Sequence, residues 1–138
     1  MNELEYTLFS KGLENLYGSV LIGDGQALEQ IEELVYLVRD LENTDSAGQP
    51  MAQEFTWIHR YFETCWPEAR FTIHGEGTDY AWQVPRGYLS RPVCQALAQA
   101  DRQGCLPDEL TVWRTGESVH FRLSCKGQVC AQGCADHA

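Results

Sequence analysis

LTVWRTGESVHFRLS, residues 110–124, alternates with a period of two on both sides of a Thr-Gly-Glu turn. That period is the signature of strands with one buried face, and the short link pairs them antiparallel. Val119, Phe121 and Leu123 fall on one face. Trp113, His120 and Arg122 share the other.

Working towards the N-terminus, Val93, Ala96, Leu97 and Ala100 recur at helical spacing. Ser90 is the expected cap of this helix, with Pro92 in its first turn and Gly104 near its end. Before it, Phe71 and Ile73, then Tyr80, Trp82 and Val84, alternate on either side of a turn at Gly75–Asp79, which predicts a first hairpin closed by Pro85. Residues 69–124 therefore read as hairpin, helix, hairpin.

The first half of the chain is helical in pattern. Met51, Phe55, Ile58, Phe62 and Cys65 lie at helical intervals between Pro50 and Pro67, with Trp57, Tyr61 and Thr64 forming a subsidiary stripe and Trp66 near the end. Leu28, Ile31, Leu34, Val35, Val38 and Leu41 form another stripe, capped by Asp24, and Asn43–Gln49 reads as a loop. Residues 3–17 carry both signals. Leu4, Tyr6 and Leu8 alternate like a strand, whereas Phe9, Leu13, Leu16 and Val20 recur like a helix, and the helical reading is preferred despite Gly12. The fold expected is α+β: an antiparallel sheet of two hairpins with a helix between them, and N-terminal helices packed on it. Residues 1–124 form one domain, with an acidic helical half (1–68) and a hairpin-helix-hairpin half (69–124), and 125–138 a Cys-rich C-terminal tail.

A chain of 138 residues with 43% hydrophobic and 11% aromatic residues suits one folded domain and excludes intrinsic disorder. Its longest apolar run is Leu34–Val38, too short to span a membrane. The acidic start MNELEYTLFS is unlike an export signal, so a cytoplasmic location is expected.

The formal charge of −10 is unevenly placed. Residues 1–68 hold 13 acids against Lys11, Arg39 and Arg60, while residues 69–138 hold seven acids and seven bases. Such a field repels nucleic acid and anionic lipid and attracts a basic partner. The function expected is a small non-enzymatic interaction module. It would act as an inhibitor or immunity-type protein that blocks a basic, nucleic-acid-binding protein by charge mimicry. Glu29, Glu32, Glu33, Asp40 and Glu42 would supply the charge, and Trp113 and Arg122 anchors of the kinds common in interfaces. The competing explanation is an acidic surface that serves solubility alone.

An alternative function rests on Cys125, Cys130, Cys134 and His137, spaced C-x4-C-x3-C-x2-H. Three thiolates and an imidazole satisfy a tetrahedral zinc ion, although the paired C-x2-C knuckles of zinc fingers are missing. Zinc is thus the one cofactor with a candidate ligand set, for a metal-binding or redox accessory domain, and an exposed thiol-bearing tail is the plainer reading. Cys65 and Cys94 fall on or beside helix stripes and are expected in the core. No catalytic motif stands out. His74, Glu76 and Asp79 come nearest to an acid/base cluster, but a turn explains them as well.

Overall fold

The computed structural model describes residues 2–42, 47–76 and 80–135. In chain order these form α1 (Glu3–Ile22), α2 (Ala27–Glu42), β1 (Gly48–Pro50), α3 (Met51–Cys65), β2 (Thr72–Glu76), β3 (Gln83–Pro85), α4 (Ser90–Arg102), β4 (Glu109–Thr115), β5 (Ser118–Cys125) and β6 (Gln128–Ala135). The class is α+β. A four-stranded sheet runs β2-β4-β5-β6 and a two-stranded one pairs β1 with β3.

The decisive stretch folds as its period demands. β4 and β5 pair antiparallel, Val112 opposite Phe121 and Trp113 opposite His120. Leu110, Val112, Val119, Phe121 and Leu123 enter one core cluster together with Met51, Ile58 and Phe62 of α3 and Val93 and Leu97 of α4. Phe62 stacks on Phe71, centroids 4.3 Å apart, just ahead of β2.

The expected first hairpin does not form. β2 instead pairs in parallel with β4, Ile73 opposite Leu110, and β3 pairs with β1. Period two identifies a strand but not its partner. The segment around β3 serves the start of α3 instead. There the carbonyls of Trp82 and Tyr80 accept the N–H groups of Met51 and Ala52, the first amides of the helix, which Pro50 cannot cap with a side chain.

The segment expected as a tail also differs, since Gln128–Ala135 is the fourth strand of the sheet. A two-residue turn, Lys126 (φ 52°) and Gly127 (φ 83°), joins it to β5. Two successive positive φ values are what a tight type I′ hairpin requires.

α3 runs through the centre, with eight of its 15 residues buried. One of them is Glu54, which is fully buried. Its carboxylate accepts the backbone N–H groups of Gly87 (3.1 Å), Leu89 (2.8 Å) and Ser90 (2.9 Å), and the Gln49 side-chain amide as well. An acid from α3 thus caps α4, the role expected of Ser90, whose position is already helical.

Candidate functional site

Of the N-terminal helices, α3 shares the core cluster with the inner face of the sheet. α1 packs chiefly against α3 and α4, and α2 against α1 and α3. Asn2 caps α1 by accepting the Glu5 N–H (2.8 Å), with Glu3 and Glu5 in the favourable first turn. The inward face of α1 is Leu4, Thr7, Leu8, Gly12 and Ser19, a helical spacing in which Leu4 and Leu8 also fit the strand-like alternation of the sequence. Gly12 is a point of close approach rather than a weakness. A Cβ there would stand 3.0 Å from Leu34 of α2. Asn15 donates to the last carbonyls of α3, Thr64 (2.9 Å) and Cys65 (3.2 Å), and the Tyr61 hydroxyl donates to Leu4 O (2.9 Å).

α2 splits its expected stripe in two, and its buried residue, Leu37, lies outside that stripe. Leu37 is fully buried and Leu34, Val38 and Leu41 pack against the core, but Leu28, Ile31 and Val35 face outward with Tyr36. On α1 the same holds for Leu13, Tyr17, Val20, Leu21 and Ile22. Ten of the twelve large hydrophobic residues exposed among the described residues lie on these two helices. Residues 2–42 also hold nine acids against two bases, Lys11 and Arg39. A groove of about 480 Å³ on α2 shows the combination: Ile31, Val35 and Tyr36 beside Glu32, Asp40 and Arg39.

The five expected docking acids divide by what they touch. Glu29, Glu32 and Glu42 are exposed. Glu33 grips Arg60 of α3 with two bonds (2.5 and 2.8 Å), and Asp40 pairs with Arg86 (3.0 Å). These two acids hold α2 to the body. The Glu33 hydrogen bonds raise the Arg60 pKa above its ordinary value, and its guanidinium lies over the Tyr36 ring at 3.5 Å. A second cleft of about 440 Å³ opens beside that pair, lined by Gly12, Asn15, Glu29, Glu33, Arg60 and Glu63 among others.

Trp113 and Arg122 belong to a different surface. On the outer face of the sheet Trp113 stacks on His120 (centroids 5.5 Å apart, planes 15° apart) with the Arg122 guanidinium 5.4 Å from the Trp113 ring. The structure therefore does not bring Trp113 and Arg122 together with the acids of α2. His74, on the same sheet, pairs with Glu109 (3.1 Å) rather than with Glu76, and Asp79 lies outside the described residues. Trp57 and Tyr61, the subsidiary stripe of α3, stack on each other inside the core.

The cysteines separate into two groups. Cys65 and Cys94 are buried, as expected, and burial pushes the Cys65 thiol up to about 12 and Cys94 well above its usual value. The sulfurs of Cys105, Cys125 and Cys130 all lie within 4.8 Å of one another. The expected ligand set therefore changes. Cys134 sits opposite His120 on β5, away from this cluster, and His137 lies outside the described residues. Desolvation, then the hydrogen bond with the Cys105 thiol, push Cys130 up to about 11. Cys105 is the member that sequence reasoning misses; its one signal is a position just past the helix-ending Gly104.

No described helix is long and apolar enough to cross a membrane. Compared with protein-family models and with curated proteins, the chain matches none.

Proposed function

We propose that this protein is a non-enzymatic interaction module that uses the α1–α2 hairpin to dock on a basic, nucleic-acid-binding protein and block its groove by charge mimicry, acting in the cytoplasm. The supporting observation is the pairing of exposed apolar side chains with an excess of acids on the same two helices, of which Glu3, Glu33 and Asp40 pair with arginines of the body while Glu29, Glu32 and Glu42 are exposed. Apolar residues left in water on a helix already anchored by its other face are a feature of protein interfaces. The surrounding charge selects the partner: a second copy of this chain would bring acids against acids, whereas a basic surface is attracted and steered. Glu29, Glu32 and Glu42 are the charges available for this role. Trp113 and Arg122 form a separate outer surface and are not needed for it.

The test is a competition. Full-length chain is immobilised, partners are captured at low and at high salt, and each captured protein is assayed for nucleic-acid binding with and without added chain. The reading expects a basic partner that is released by salt, because exposed charges are screened within about 8 Å at physiological ionic strength. It also expects the partner's nucleic-acid binding to fall when the chain is added. A triple charge reversal, E29K/E32K/E42K, should abolish both effects. Capture that is indifferent to salt and to the reversal would sink the idea.

A further inference from the structure

Three backbone devices bring the three clustered thiols together. Cys105 follows α4 in a Schellman arrangement: its N–H donates to Ala100 O (2.9 Å) and the Gly104 N–H to Asp101 O (2.9 Å), with Gly104 in the left-handed region at φ 82°. Cys125 is the last residue before the Lys126–Gly127 turn and pairs with Gln128 across it. Lys126 is the only non-glycine residue with positive φ among the described residues. Cys130 is the extra residue of a bulge: Leu123 faces Ala131 and Ser124 faces Val129, so Cys130 has no partner on β5. A bulge re-aims the side chain it carries. In an uninterrupted strand Cys130 would alternate with Ala131 and face away from the core side.

We propose that Cys105, Cys125 and Cys130 form a three-thiolate site for one thiophilic metal ion of the zinc class. Thiolates bound at about 2.3 Å to a tetrahedral ion stand about 3.8 Å apart, within the spread of these sulfurs. The Cys105 and Cys130 sulfurs are already 3.3 Å apart. Soft sulfur donors select zinc and its heavier relatives over calcium or magnesium. Cys105 is exposed and Cys125 and Cys130 are half-buried, so the ion has a path in and a fourth coordination position open to solvent. A Cys105–Cys130 disulfide would use two of the thiols and leave the convergence of Cys125 without a reason. The site lies on the α4–β5–β6 corner, in different elements from the α1–α2 docking surface, so either can fail alone.

Cadmium(II) is the probe, titrated into reduced full-length chain while the ultraviolet thiolate-to-cadmium charge-transfer band is followed. The expected result is saturation at one equivalent, also when the chain is first loaded with zinc(II), which the softer cadmium displaces, and loss of the band in Cys105→Ser, Cys125→Ser and Cys130→Ser. Cys134→Ser should bind like the wild type. A cooperative melt without metal in every variant shows that each is folded, and a rise in melting temperature with metal should appear in the wild type and Cys134→Ser and not in the other three. A band that survives Cys105→Ser, a band lost in Cys134→Ser, or the absence of saturable binding would each overturn the proposal.

Discussion

α2 and α3 look alike as sequences, each an amphipathic helix with large apolar residues at three- and four-residue intervals, yet they sit in the molecule in opposite ways. α3 buries eight of 15 residues and carries even a carboxylate into the core. α2 buries only Leu37 fully among 16 residues and turns Leu28, Ile31, Val35 and Tyr36 to solvent. The difference lies in the neighbours: α3 is packed by α1, α2, α4 and the core side chains of the sheet, whereas α2 packs chiefly against α1 and α3 on one side. Leu28, Ile31, Leu34, Val35, Leu37, Val38 and Leu41 cover more of the helix circumference than one neighbouring layer can bury, so part of that surface is left over. A helix with more apolar surface than its own fold uses has that surface available for something else.

The sharpest way to break the comparison is at Glu54. Glu54→Ala leaves the amides of Gly87, Leu89 and Ser90 without their acceptor, the last two of them buried. We expect a loss of about 3 kcal/mol or more in urea unfolding, because each charge-assisted bond contributes roughly 1.5–3 kcal/mol and stranded donors add their desolvation. A loss below about 1 kcal/mol, the size of an ordinary exposed cap, would mean that α4 does not depend on α3 for its start.

Within α2 itself, Leu37→Ala and Val35→Ala should separate cleanly. The first empties a buried site and should cost about 2–5 kcal/mol. The second trims an exposed side chain and should stay within about 0.5 kcal/mol, while weakening partner capture. Equal costs would place Val35 in the core and remove the case for a docking face.

The last effect concerns pH and is confined to the alkaline range. Cys65 titrates near 9 when exposed and is pushed up to about 12 by burial. Between these values the unfolded chain loses its proton first. Stability is thus unaffected by this group below pH 9 and falls as pH rises from 9 towards 12. Cys65→Ala should flatten part of that alkaline loss in thermal melts. An unchanged slope would assign the loss to other groups.

How much of this was legible depends on which physical signal each element carries. α3, α4 and the β4–β5 hairpin announce themselves because their buried faces are lined with large apolar side chains at a clean period. β6 gives no such signal: the residues opposite Val119, Phe121 and Leu123 are Ala135, Gly133 and Ala131, small because the larger side chains of β5 fill the space. A Cβ on Gly133 would come within 2.8 Å of the Phe121 ring. Glu54 shows its position only as an acid on an apolar stripe, between Met51 and Phe55. The cysteine cluster was half legible. Cys125 and Cys130 are near neighbours in sequence, but Cys105 joins them through a helix end and a bulge that only the folded chain displays.

The parallel contact of β2 with β4 carries a consequence for the order of assembly. Bringing Ile73 beside Leu110 closes 37 residues of chain (110 minus 73), whereas Val112 meets Phe121 across nine (121 minus 112). Longer closure costs more chain entropy before any contact rewards it. The β4–β5–β6 meander can therefore zip up from its own turns, while β2 must wait until α4 has laid its 13 residues across the gap. Among the described strands, β2 also has a hydrogen-bonded neighbour on one side only. The last strand to join is then the first to let go, and its amides should exchange with solvent deuterium ahead of those in β4 and β5.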